Sequence, residues 1–416
     1  MIKNDFGHLG CPYYEEKLEN GITLIVVPRK SRLKSAGIYI GKGALNNTLE
    51  VNGAKLGKGT AYLTKERIRS KDFQDALATR GIVGSSSMDY SYTYYSLSSL
   101  DDVLPGLKRL RERIIRRNFT EEGLDRVKQG LSPLLRDEEK KPANICLERR
   151  LSHRYASSPL KDSLLPKREE ANNTHVSSLR RFVESYYVPR DRVVFLSMDE
   201  KPSTMVSLLS SLLFPADLTI YEKKTTSEES SDVLDKLSLG VFAGRGTYLG
   251  YGFKFPHRKD LYEHYGRSLF PKYELRRQSY FSAPSFLSSL ADRQGELLLS
   301  SFKQGGEESY VSLILKVRDE KPVLAFLKDY FAKLDNHLRK DDFALVKREY
   351  EAKARKNLAL PHLVLSHFAL NFPNHIPYPS LVALTKKEGY TGYRRFGEDI
   401  SSFSQCAYIL KGNQNG

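Results

Sequence analysis

Gly59-Thr60-Ala61-Tyr62-Leu63-Thr64-Lys65-Glu66 is the stretch from which the rest of the chain is best approached. Tyr62, Lys65 and Glu66 stand at i, i+3 and i+4, so one helical face presents all three. H-x-x-E-H zinc sites use that spacing to hold out two imidazole ligands and a carboxylate base. Here the three places carry a phenol, an ammonium and a carboxylate. A Lys cannot deprotonate a zinc-bound water, and its charge repels the cation. The outline of a hydrolytic metal helix is present without its chemistry.

The chain around this stretch has 416 residues, enough for two or three domains with sizeable cores. Cys11, Cys146 and Cys406 are far apart and form no C-x-x-C pair, which argues against a disulfide framework or a Cys-based zinc site. No apolar run approaches membrane-spanning length and the N-terminus has no signal-like apolar core, so cytoplasmic residence is expected. The formal charge of +16 is spread along the sequence. Its densest run, residues 108–117, reads as a helix with an apolar stripe of Leu107, Leu110, Ile114 and Ile115. Its Arg residues read as a solvated face, with an anion or nucleic-acid surface as the alternative. No nucleic-acid-binding motif accompanies them, so no nucleic-acid partner is expected.

Working outward, strands are expected at 22–28, 35–41, 82–87, 91–98 and 192–197, and helices at 71–80, 101–117, 120–138, 143–155 and 175–187. Residues 225–232 are polar, Ser-rich and aperiodic, which marks a linker. Beyond it similar elements recur: strands at 238–242, 248–253, 295–302 and 310–317, and helices at 261–270, 321–338 and 341–358. Leu124, Val127, Lys128, Leu131 and Arg136 match Phe343, Val346, Lys347, Tyr350 and Arg355 at one constant offset. With the similar element order, this points to an internal duplication. The expected organisation is a domain at 1–220, a linker at 221–235 and a homologous domain at 236–416.

Several segments, in this order and spacing, carry a resemblance. They are Leu18-Glu19-Asn20-Gly21, Gly59-Thr60-Ala61, Phe73-Gln74 through Gly81, Phe119-Thr120-Glu121-Glu122, and Tyr186-Tyr187-Val188-Pro189 before the strand at 193–196. Across nearly its whole length the chain resembles the insulinase/pitrilysin family of zinc peptidases, especially its short bacterial and mitochondrial-processing-peptidase-like members. The resemblance implies an α/β (α+β) fold of two homologous domains, each a mostly antiparallel sheet packed against helices. It also implies pairing with a second two-domain chain around a peptide-binding chamber.

The resemblance places the family's zinc-binding His residues at Tyr62 and Glu66, its catalytic Glu at Lys65 and its third ligand at Leu134. The Arg and Tyr that steady the substrate carbonyl fall on Ala291 and Leu298, with Arg293 able to replace the Arg only by a shift of register. The family adds its peptide as an extra strand to a sheet edge. That edge corresponds to Gly84, Ser85, Ser86, Ser87 and Met88, which reads equally well as a surface strand kept polar against aggregation.

Other motifs carry less. Asp260, Glu263 and His264 share a helical face outside the implied metal position, His362 and His367 point to different faces, and residues 243–247 read as a turn rather than a phosphate loop. The expectation is a non-catalytic subunit that binds no zinc itself and pairs with an active paralogue carrying the zinc. Its basic balance favours acidic peptides. Alternatives are a stand-alone peptide-binding homodimer and an atypical zinc peptidase.

Overall fold

The computed structural model describes residues 1–5, 12–47, 50–51, 54–116, 119–154, 161–213, 237–256, 275, 285–304, 308–359, 363, 378–402 and 405–413. The chain forms two compact units, each with its own sheet.

The first sheet has seven strands: β1 (Ile2–Asp5), β2 (Pro12–Lys17), β3 (Thr23–Pro28), β4 (Lys34–Ile40), β7 (Ile82–Met88), β8 (Thr93–Ser99) and β9 (Arg192–Met198). Two short strands, β5 (Glu50–Val51) and β6 (Ala54–Lys55), pair separately. The order is β1-β2-β3-β9-β4-β8-β7, antiparallel except where β3 meets β9. All seven residues of β9 are buried. A central strand covered on both faces needs no polar alternation, which is why Val193-Val194-Phe195-Leu196 runs unbroken. Helices α1 (Thr60–Ile68), α2 (Lys71–Ala78), α3 (Leu104–Arg116), α4 (Glu121–Lys140), α6 (Arg168–Asn172), α7 (Val176–Tyr186) and α8 (Pro202–Leu213) precede or follow these strands. Leu24, Val26, Ile38 and Leu196 of the sheet meet Leu63, Leu107, Leu179 and Phe182 of the helices in one core.

The second sheet contains β10 (Ser238–Ala243), β11 (Thr247–Pro256), β12 (Gly295–Gln304), β13 (Glu308–Val317) and β14 (Gln405–Asn413), in the order β10-β14-β11-β13-β12. It repeats the first sheet's plan. In both, the last strand inserts between the first two of the repeat, parallel to one and antiparallel to the other. In both, a hairpin then extends the sheet to an edge. The helices repeat too: α4 and α12 (Lys340–Ala359) are each 20 residues long, and both ends obey the offset that aligns Leu124 with Phe343. Those two residues are both buried. The remaining helices are α9 (Phe286–Ala291), α10 (Glu320–Ala332), α11 (Leu334–His337) and α13 (Tyr378–Ser402), the last kinked at Gly389.

The two units are not successive halves. The second contains Asp137–Ser163, and with it α5 (Pro142–Arg154), while the first recovers Ala354–Ser380 from late in the sequence. This differs from the single break expected at 221–235, a segment outside the described residues. The reason lies in α5. Cys146 joins Phe242, Tyr248, Ile314 and Leu410 in a core under the second sheet, and Arg150 donates to Ser312 Oγ and to the Val311 carbonyl. A Cβ at position 252 would collide with the Arg150 guanidinium, so glycine there is what lets the Arg lie on the strand.

The helix expected at 321–338 is two, broken at Lys333. Strands β1, β2 and β14 and helices α8 and α13 were not anticipated. The helix expected at 261–270 and the decoys at 260–264, 362 and 367 lie outside the described residues. Residues 243–247 do form the β10–β11 turn.

Candidate functional site

Gly59 to Glu66 supplies the N-cap and most of the length of α1. Its entry is fixed by Gly59, whose φ of 103° is a left-handed conformation and whose Cβ would lie 2.7 Å from Pro166. Asn47 Oδ1 accepts from the Ala61 amide at 2.7 Å, satisfying one of the open donors of the first turn. This brace comes from 14 residues upstream, and no local pattern betrays it. Ala61, Leu63, Thr64 and Ile68 are buried and hold the helix against the core.

Tyr62, Lys65 and Glu66 come together as the spacing predicts, and they close on one another. The Lys65 ammonium lies 2.7 Å from Glu66 Oε1 and 4.1 Å from the centroid of the Tyr62 ring. Lys65 is only 7% exposed. Its stem is covered, its charge is matched by one carboxylate, and an aromatic face supplies the rest of its solvation. Burial first, and the Glu66 charge second, push the Tyr62 phenol up to about 12, against an opposing pull from Arg69. The phenol is therefore neutral at ordinary pH. The Glu66 charge also adds to the upward shift of Tyr95, a fully buried phenol of β8 whose main perturbation is desolvation.

These residues do not suit a zinc ion. The arrangement offers no imidazole or thiolate, its one carboxylate is already paired, and an ammonium stands between the would-be ligands. Leu134, where the resemblance puts the third ligand, is 44% exposed on α4. Among the acids after it, Glu138 is held locally by Lys141 and Asn144. Among the described residues, no three His, Cys, Asp or Glu side chains gather as a metal cluster.

In the second unit, Ala291 ends α9 and is exposed. Leu298 is the bulged residue of β12: Leu297 pairs with Leu315 and Leu299 with Ile314, leaving Leu298 opposite no partner. Arg293, which the resemblance offers in place of the family's Arg, donates to the Ser289 carbonyl and sits over the Phe326 ring at 4.6 Å. It braces its own turn.

Gly84, Ser85, Ser86, Ser87 and Met88 lie on β7, the edge strand of the first sheet, bonded on one side to β8. Val83, Ser85 and Ser87 face outward, and Ser85 Oγ meets Ser96 Oγ across the pair at 2.6 Å. Gly84 has a reason other than the approach of a second backbone. A Cβ there would lie 2.9 Å from Leu77 of α2, so the glycine admits the helix.

No protein-family model matches the sequence, and no curated protein matches it. Solved structures match throughout. An M16-like peptidase from Alicyclobacillus acidocaldarius superposes with a TM-score of 0.79 at 11% identity, over 97% of this chain and 99% of that one. A protease from Helicobacter pylori gives 0.76 at 16% identity, over 96% and 99%. A peptidase M16 inactive domain from Pseudomonas fluorescens gives 0.73 at 14%, over 96% and 98%. No described helix is long and apolar enough to cross a membrane. The duplicated sheets and these full-length superpositions together give this chain the two-domain α/β fold of M16-like, insulinase-type peptidases.

Proposed function

We propose that the chain is a non-catalytic subunit of a peptidase assembly, pairing with a catalytically competent chain of the same fold to complete a peptide-binding chamber. One observation carries the reading: the residues at the motif positions satisfy one another, with the Lys65 ammonium occupying the space between Tyr62 and Glu66. A site closed in this way has a structural use and no catalytic one. The likeness to an inactive M16 domain supports it. In this role the chain takes no zinc, and zinc sits in the partner. The net positive charge favours acidic peptides at the chamber wall.

The test is affinity capture of the tagged chain from its native lysate with metal analysis of both components. A stoichiometric partner of similar length that carries H-x-x-E-H and bound zinc is the expected result. Stoichiometric zinc in this chain alone would overturn the proposal in favour of an atypical peptidase. A second reading, a peptide-binding homodimer, is favoured by β7, whose outer edge pairs with no other strand among the described residues and could take an extended peptide. Recovery of a self-associated dimer with bound peptides would select it.

A further inference from the structure

The C-terminal end of α1 adjoins a cavity of about 340 Å³, lined by Arg67, Arg109 and Arg113, the rings of Phe73 and Phe119, and Asp72 and Glu112. That is the small end of the range for ligand pockets. All these residues belong to the first unit.

Arg67 makes the cavity unusual. It is only 8% exposed, yet among the described residues its guanidinium has no carboxylate within ion-pair distance. One of its five donors reaches Ser70 Oγ at 3.3 Å, and Nε is buried with no hydrogen-bond partner among the described residues. Its head lies against Gly123, in the first turn of α4, where a Cβ would collide with Nη2. A helix N-terminus is itself positive, so this surrounding adds to the charge rather than offsetting it. The acids of that turn are engaged elsewhere: Glu121 accepts from the Val176 amide, and Glu122 pairs with Arg126.

Arg113 stands beside it with its Nη1 engaged. It reaches the Arg67 and Ile68 carbonyls at 3.3 Å and Ser70 Oγ at 2.7 Å, and Asp72 lies at 3.7 Å. Arg113 therefore caps α1 and leaves its charge facing the cavity. Burial lowers the proton affinity of both guanidiniums, and the charge of Arg67 lowers that of Arg113 further. A buried Arg67 beside a half-buried Arg113, with Asp72 exposed at their edge and Glu112 the other acid of the lining, is a costly arrangement unless an anion joins them. Phe73 and Phe119 add flat apolar walls to the charged end.

We propose that this cavity binds a small organic anion, its phosphate or carboxylate meeting Arg67 and Arg109 and its apolar body lying against Phe73 and Phe119. The site is independent of the peptide role and of any metal. Arg67 supplies the buried charge, Arg113 holds the helix end that presents it, and Arg109 guards the rim.

The probes are inorganic phosphate, phenyl phosphate and benzoate, titrated into the full chain by calorimetry and by thermal shift at ionic strength held constant with chloride. Saturable one-to-one binding of phenyl phosphate or benzoate is expected, and the tighter of the two identifies the head group. Phenyl phosphate should bind about tenfold more tightly than inorganic phosphate through burial of its ring. Arg67→Met should abolish binding. Arg109→Gln, a rim change that leaves the core intact, should weaken it by about tenfold to a hundredfold with no change in Tm of the free protein. If Arg67→Met does not fold, the Arg109→Gln result decides. The proposal fails if neither organic anion binds saturably, or if Arg109→Gln binds as tightly as the unaltered chain.

Discussion

Replacing Lys65 with Met should unsettle the first unit. The ammonium is the counter-charge of a Glu66 side chain that is itself only 17% exposed. Its loss leaves that carboxylate partly desolvated and unpaired, and also removes the contact with the Tyr62 ring. Breaking a buried pair from one side costs about 3–5 kcal/mol. The solvent access at Glu66 puts this case at the lower end, about 3 kcal/mol. For a unit of this size that corresponds to a fall in Tm of about 6–12 °C. Replacing both members, Lys65→Met with Glu66→Leu, removes the stranded charge and should bring the loss below about 1 kcal/mol. The chain contains no Trp, so calorimetry with far-ultraviolet circular dichroism is the assay. A double replacement whose effect equals the sum of the single ones, within about 0.5 kcal/mol, would refute the pairing as the organising interaction of this site.

Installing the zinc motif by Tyr62→His, Lys65→Glu and Glu66→His together should not confer stoichiometric zinc, because Leu134 supplies no third ligand; metal analysis after gel filtration checks it. The Tyr62 phenol, pushed up to about 12 against an ordinary 10, binds its proton more tightly folded than unfolded. Its contribution is therefore complete below pH 10 and lost as pH climbs toward 12, so Tyr62→Phe should flatten that part of the stability curve. Gly252→Ala should destabilise the second unit by more than about 3 kcal/mol, since the new methyl collides with the Val311 carbonyl and the Arg150 guanidinium; a Tm loss confined to a few tenths of a degree would contradict it. Burial pushes the Cys146 thiol up to about 12, so it should resist iodoacetamide at pH 8 until denaturant is added, as mass spectrometry of the labelled peptide will show.

The sequence made the framework of both units readable because the strands and amphipathic helices that build them alternate or repeat visibly. Residues 238–242, 248–253, 295–302 and 310–317 each fall on an observed strand. Strand β14 escaped because Cys406 to Leu410 are buried on both faces and show no alternation, and α13 because Gly389 breaks its period with a non-helical conformation. The spacing of Tyr62, Lys65 and Glu66 announced a shared face. It did not announce that Lys65 would pair with its own neighbour, since adjacent residues on a helix ordinarily diverge. The Arg-rich run on α3 read as a solvated face, and Arg109 obeys that reading. Arg113 instead turns onto the end of α1, a choice made by a helix far away in sequence.

The position of β14 has a consequence in time. It follows the other four strands of its sheet along the chain, yet it lies between β10 and β11, and β10 has no other strand neighbour among the described residues. Until Gln405–Asn413 emerges, the second sheet is split into a stray strand and a three-stranded remainder, with α5 waiting on it since early in synthesis. A nascent chain stalled before Gln405 would hold the other four strands of that sheet and none of its closure. The nine residues of β14 therefore decide when the sheet becomes one piece.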